Sequence, residues 1–236
     1  MVLRAMKRGD GPFKDRSNRK DPLTLAELHT LVAPATSSGD CLWRAVYLTV
    51  FFGMMRMGEV CLTGKFDPEW DLRTQDVVFL ENRVELTVRA SKTDFFGAGD
   101  VVVLPRLEGH PLCPYAALER LKSIRVAEGS WTHLSPLFMV QGKSARYGAA
   151  HERLLQRLHP AGNVVGHPRL GCHSLRRGMA VLAREAGVSP DMIKAWGRWK
   201  GDSYLIYAEF SAGERESVSR RVWKTTGDSS KACGQA

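Results

Sequence analysis

The chain has 236 residues, 44% of them hydrophobic, and carries 34 basic against 25 acidic side chains, a formal net charge of +9. That length fits one domain, or one domain with extensions, and the composition is that of a globular protein able to bury a core. The positive balance favours a polyanionic partner, whereas the longest uncharged apolar stretch, Ala45 to Met55, is too short to cross a bilayer and stops at Arg56.

No signal-peptide core opens the chain, and the five cysteines form no C-x-x-C pair. An intracellular protein with reduced thiols, no zinc site and no membrane partner is the expectation. Residues 1–21 read as a basic arm or linker: Arg4, Lys7, Arg8, Lys14, Arg16, Arg19 and Lys20 stand against Asp10 and Asp15, with no apolar period. Such an arm suits DNA or simply solvent.

Folding is predicted to begin at Asp21-Pro22-Leu23. Thr24 is an N-cap with Glu27 completing a capping box, and Leu25, Leu28 and Val32 follow at helical spacing. A second helix is predicted from Asp40 to Met55. Asp76 to Ala90 then alternates as a hairpin: VVFL, a turn at Glu81-Asn82-Arg83, and VELTV. Val101 to Leu104 supplies a third strand after the loop Phe96 to Gly99. Cys113 to Val126 is a predicted helix entered through Pro114, and Tyr147 to Leu158 another. Pro160 to Gly171 is a loop. From His173 the chain reads as helical to about Lys224, and residues 224–236 are a polar tail. The predicted fold class is mainly α (α+β), helical with a small three-stranded antiparallel sheet.

The chemistry concentrates between His173 and Tyr207. His173 and Arg176 lie three apart on one helix, near its N-terminus, with Leu175, Met179, Leu182 and Ala186 as the opposite, core-facing stripe. Arginine offers a planar fork that matches phosphate oxygens. An isolated H-x-x-R is ordinarily a solvated face with an incidental histidine. Ser189-Pro190-Asp191 starts a further helix and Gly197 ends it. Arg198-Trp199-Lys200 then places two cations and an indole ahead of Tyr207. Upstream, Arg56 and Glu59 interrupt an apolar run; at i, i+3 they either satisfy one another or leave Arg56 facing a cleft. Lys92, taken alone, is an ordinary hairpin lysine.

Gly53-Met54-Met55-Arg56-Met57-Gly58-Glu59, Ser91-Lys92-Thr93-Asp94, His173-Ser174-Leu175-Arg176-Arg177-Gly178 and Gly197-Arg198-Trp199 followed by Tyr207 resemble, in order, four motifs of the tyrosine recombinases, the phage integrase family. The resemblance covers about Pro22 to Val222. Its wording at GRWK-x-x-x-Y-L-x-Y is most similar to recombinases of eukaryotic tyrosine-recombinase retroelements and related mobile DNA.

The resemblance implies a catalytic domain over residues 22–223 that breaks and rejoins DNA through a 3′-phosphotyrosyl intermediate, without metal, ATP or cofactor. Tyr207 is then the nucleophile, with Tyr204 its chemical rival. Arg56 and Arg176 clamp the scissile phosphate, Glu59 supports Arg56, Lys92 is the general acid and His173 assists proton transfer. For the third motif, residue type favours Trp199, while spacing from Tyr207 favours Arg198. The implied partners are double-stranded DNA and further copies of the chain, as a tetramer on DNA. Localisation is wherever that DNA lies, nucleus or nucleoid. Members of the family carry a helical DNA-binding domain ahead of the catalytic one. Residues 1–21 are too few to form it, so that domain is expected to be absent. A type IB topoisomerase-like relaxing enzyme, or an inactive DNA-binding relic of a mobile element, are the alternatives.

Overall fold

The computed structural model describes residues 20–89, 99–159 and 169–201. Two capping boxes set the first helices. In α1 (Leu25–Val32) the Thr24 hydroxyl accepts from the Glu27 N–H at 3.2 Å, and the Glu27 carboxylate accepts from the Thr24 N–H at 2.8 Å. In α2 (Ser38–Phe52) Ser37 and Asp40 reciprocate in the same way. The buried face of α1 is Leu28, Leu31 and Val32; Leu25, expected on the same stripe, is exposed at the helix's first position.

The central element is α2. Ala45 to Val50 and Phe51 are almost wholly removed from solvent, and the helix packs against α1, the short α3 (Met57–Val60), α4 (Pro114–Ala127) and α6 (Cys172–Glu185). Burial on all sides explains why its apolar residues run continuously rather than in a stripe. Tyr47, inside this core, donates to the Ala150 carbonyl at 2.7 Å, so its hydroxyl is satisfied and ties α2 to α5 (Tyr147–Leu158). The second helix was expected to run to Met55; it stops at Phe52, where Gly53 makes its C-cap.

The antiparallel sheet has the order β1 (Val77–Phe79), β2 (Arg83–Val88), β3 (Asp100–Pro105). Val77 pairs with Leu86, which pairs with Val102. The period of two puts Val84, Leu86, Val88, Val102 and Leu104 inward and leaves Val101 and Val103 exposed. A second, two-stranded hairpin, β4 (Met139–Val140) with β5 (Lys143–Ser144), was not read from the sequence. Its turn residues Gln141 and Gly142 both have positive φ, 50° and 71°, as a tight hairpin turn requires.

Helix α6 departs from the expected stripe. Leu175 is buried, but so are Arg176, Ala180 and Ala183, while Ala186 is exposed. The helix is covered from more than one side: it packs on α2 and α5, and on α7 (Pro190–Trp196). The entering chain also lies across it, with the Leu23 N–H donating to the Ser174 carbonyl at 2.9 Å. A Cβ on Gly178 would overlap the Leu23 carbonyl, so this close approach requires glycine.

Candidate active site

Arg56 is delivered by a turn that packing holds in place. A Cβ on Gly53 would lie 2.8 Å from both the Thr49 carbonyl oxygen and Val102 Cγ1, so the sheet presses directly on this turn. Met54 follows in the left-handed region at φ 43°, and both Met54 and Met55 are fully buried. Arg56 then caps α3 from outside, and Glu59, in the first turn of that helix, accepts from the Arg56 N–H at 2.8 Å and from its Nη1 at 3.0 Å. Of the two readings open for the pair, the ion pair is the one observed.

Glu59 has a second cation. Arg198 Nη2 donates to Glu59 Oε2 at 2.8 Å, across 139 positions of sequence. The Glu59 side chain is 5% exposed, Arg198 11% and Arg56 25%, so Arg56 is the most open member of the trio. Burial alone would raise the Glu59 pKa; Arg198, the Arg56 N–H and the Arg56 charge outweigh it and hold the carboxyl below its ordinary value. Glu59 is therefore ionised at neutral pH.

The same turn grips Arg176. Helix α7 opens on the Ser189 cap, whose hydroxyl accepts from the Met192 N–H at 3.3 Å, and closes at Gly197. The Gly197 carbonyl accepts from Arg176 Nη2, and the Trp199 ring lies against the Arg176 guanidinium with 4.4 Å between Cζ and ring centroid. Arg198, between them, takes a left-handed φ of 55°. A Cβ on Gly197 would overlap the Trp199 ring, so glycine is what lets the indole fold back over Arg176.

His173 stands exposed in the first turn of α6, next to this cluster. Partial desolvation, then the charges of Arg176 and Arg56, push its pKa below the ordinary imidazole value. It is neutral at pH 7 and free to accept a proton there. The structure thus brings together Arg56, Glu59, Arg176, Arg198 and Trp199, with His173 within the field of two of the arginines. Lys92, Tyr204 and Tyr207 lie outside the described residues. Three guanidiniums against one carboxylate leave a site of net positive charge, suited to a phosphate. Among the described residues no cluster of His, Cys, Asp and Glu could hold a metal ion, and no helix is long and apolar enough to cross a membrane.

The Glu59–Arg198 pair was missed by sequence reasoning. One signal for it existed: a carboxylate in an apolar run has room for two cationic donors, and Arg56 fills only part of that capacity.

No family model and no curated protein matches the sequence. Solved structures do. XerH site-specific recombinase bound to a palindromic difH substrate, a post-cleavage complex, is 16% identical with a TM-score of 0.62, over 89% of this chain and 55% of that one. A lambda integrase dimer bound to a COC′ core site is 19% identical with a TM-score of 0.56, over 83% and 61%. The Tn1549 transposon integrase in complex with transposon right end DNA is 19% identical with a TM-score of 0.53, over 88% and 68%. The fold is therefore that of the tyrosine recombinase catalytic domain. The chain spans about half to two thirds of the length of these proteins.

Proposed function

We propose that this chain is the catalytic part of a site-specific DNA recombinase that works through a 3′-phosphotyrosyl intermediate, without metal or ATP. The observation that carries the reading is the convergence of Arg56, from the turn before α3, with His173 and Arg176, from α6, on one positive site. The fold it shares with DNA-bound recombinases supports it.

In this reading double-stranded DNA lies with one phosphate against Arg56 and Arg176. The Tyr207 oxygen attacks phosphorus as its proton leaves, with His173 assisting that transfer. The bond from phosphorus to the 5′-oxygen breaks, and Lys92 gives that oxygen a proton. The 3′-phosphotyrosyl bond keeps the energy of the phosphodiester, so a 5′-hydroxyl from another strand can reverse the step and join. A free tyrosine has a pKa of about 10. The cations favour the phenolate and the charge that builds on the pentacoordinate phosphorus. Further copies of the chain on DNA would supply the partner sites. The retroelement affinity and a mobile-element origin rest on the wording of the Gly197–Tyr207 segment.

The test mixes the protein with nicked duplex DNA in EDTA and looks for an SDS-resistant protein–DNA adduct. Wild type should form it and Tyr207→Phe should not. Salt-sensitive DNA binding with no adduct from wild type would favour an inactive DNA-binding relic and contradict the proposal.

A further inference from the structure

Arg198 occupies the place where spacing from Tyr207 expects the third motif residue, and a cation there invites the reading that it touches substrate. Its surroundings say otherwise. Nη2 is bonded to Glu59, the side chain is 11% exposed, and Nε is buried with no hydrogen-bond partner among the described residues. What sets Arg198 apart is its partner, the one carboxylate of the cluster. Glu59 in turn holds both the backbone N–H and the Nη1 of Arg56, the more open of its two cations.

We infer that Arg198 is a positioning residue that acts through Glu59 to orient Arg56 on the phosphate. This rests on the phosphoryl-transfer reading above. Two cations on one carboxylate make a bridge: the second cation keeps Glu59 ionised and fixes the rotamer from which it holds Arg56. Because Gly197 and Trp199 flank Arg198 and hold Arg176, the single turn 197–199 sets both phosphate-facing arginines, one by direct contact and one by relay. A shift of the α7 end would move both together.

The experiment compares wild type, Arg198→Ala, Arg198→Lys, Arg56→Ala and the Arg56→Ala/Arg198→Ala double variant. It reads the single-turnover rate of adduct formation on nicked duplex and the affinity for the same duplex. Arg198→Ala should slow the rate by about 100-fold, the scale of a misplaced catalytic group, with affinity within about threefold of wild type. Arg198→Lys, which still pairs with Glu59, should recover most of the rate. Adding Arg198→Ala to Arg56→Ala should cost less than about twofold more. A full additional loss in that background would mean that Arg198 meets the substrate itself, and would overturn the relay. Glu59→Gln, near-isosteric, replaces Arg198→Ala if that variant unfolds.

A second readout does not need catalysis. Slowly exchanging guanidinium resonances of Arg56 in ¹⁵N spectra should be lost in Arg198→Ala and return in Arg198→Lys. Unchanged Arg56 resonances would sink the relay whether or not the protein cuts DNA. Changed resonances without any wild-type adduct would sink the phosphoryl-transfer reading alone.

Discussion

Arg56 and Arg176 are held by different physics. Arg56 is 25% exposed and relies on a carboxylate that another cation shares. Arg176 is 6% exposed and lies between a carbonyl and an indole face. The first keeps a charge available at the surface; the second keeps one aimed from a largely dry position, where its field is less screened. His173 sits in both fields and titrates below the ordinary imidazole pKa of about 6.5. Its neutral form therefore predominates at pH 7 and is lost as pH falls. The adduct-forming rate should be level around neutrality and fall as pH drops through that lowered pKa. His173→Gln should remove this acid limb from the pH–rate profile; an unchanged limb would assign it to another group. Arg125 shows a cation held wholly by the fold. It is fully buried, and its guanidinium donates to the carbonyls of Ser130, Pro136 and Leu137 beneath Trp131. It extends the stripe Leu118, Leu121, so its position was available in the helical period. A charged residue on that stripe reads as surface, because its carbonyl partners come from a loop and not from the helix.

At the scale of elements, what was legible was what is local. The α1 capping box, the presence of the β1–β2 hairpin, the Pro114 entry to α4, the full span of α5 and the Ser189 start of α7 all depend on contacts a few residues apart, although the predicted turn Glu81-Asn82-Arg83 is one residue too long, since Arg83 already lies in β2 and Phe79 faces Val84. The β4–β5 hairpin was not, since two residues per strand leave no period to read. The end of α2 was misjudged: the helix stops at Phe52 with Gly53 as its C-cap, where Val102 leaves no room for a Cβ. The α2 start joins local and distant terms. Asp40 completes the Ser37 box and faces Arg153 and Arg157 of α5. The Ser37 hydroxyl first, then its backbone N–H and Arg153, overcome desolvation and lower its pKa from 3.8 to about 2. A carboxyl with a depressed folded pKa adds stability above its unfolded value and loses it as pH falls towards the folded one. Thermal stability should therefore decline from about pH 4 to about pH 2, and Asp40→Asn should be less stable at neutral pH with a flatter acid slope. Equal slopes for the two proteins would remove Asp40 from the account.

Across the whole molecule, the site is a matter of long-range closure. The order of the four motifs suggested that Arg56, His173 and Arg176 belong together, and the fold brings them there. What no local pattern contained was the way closure happens. The 197–199 turn reaches Glu59 and Arg176 at once, and the entering chain at Leu23 lies on α6 only because Gly178 admits it. Arg198 and Trp199, rivals for one role by type and spacing, fall on two different partners, Glu59 and Arg176. The measurement that meets the central claim most directly is peptide mapping of the protein–DNA adduct formed in EDTA. After nuclease and protease digestion, the peptide containing Tyr207 should carry a nucleotide through its 3′-phosphate, and the released strand should bear a free 5′-hydroxyl. A nucleotide on Tyr204 or on a serine, or a 5′-phosphate on the released strand, would contradict the account.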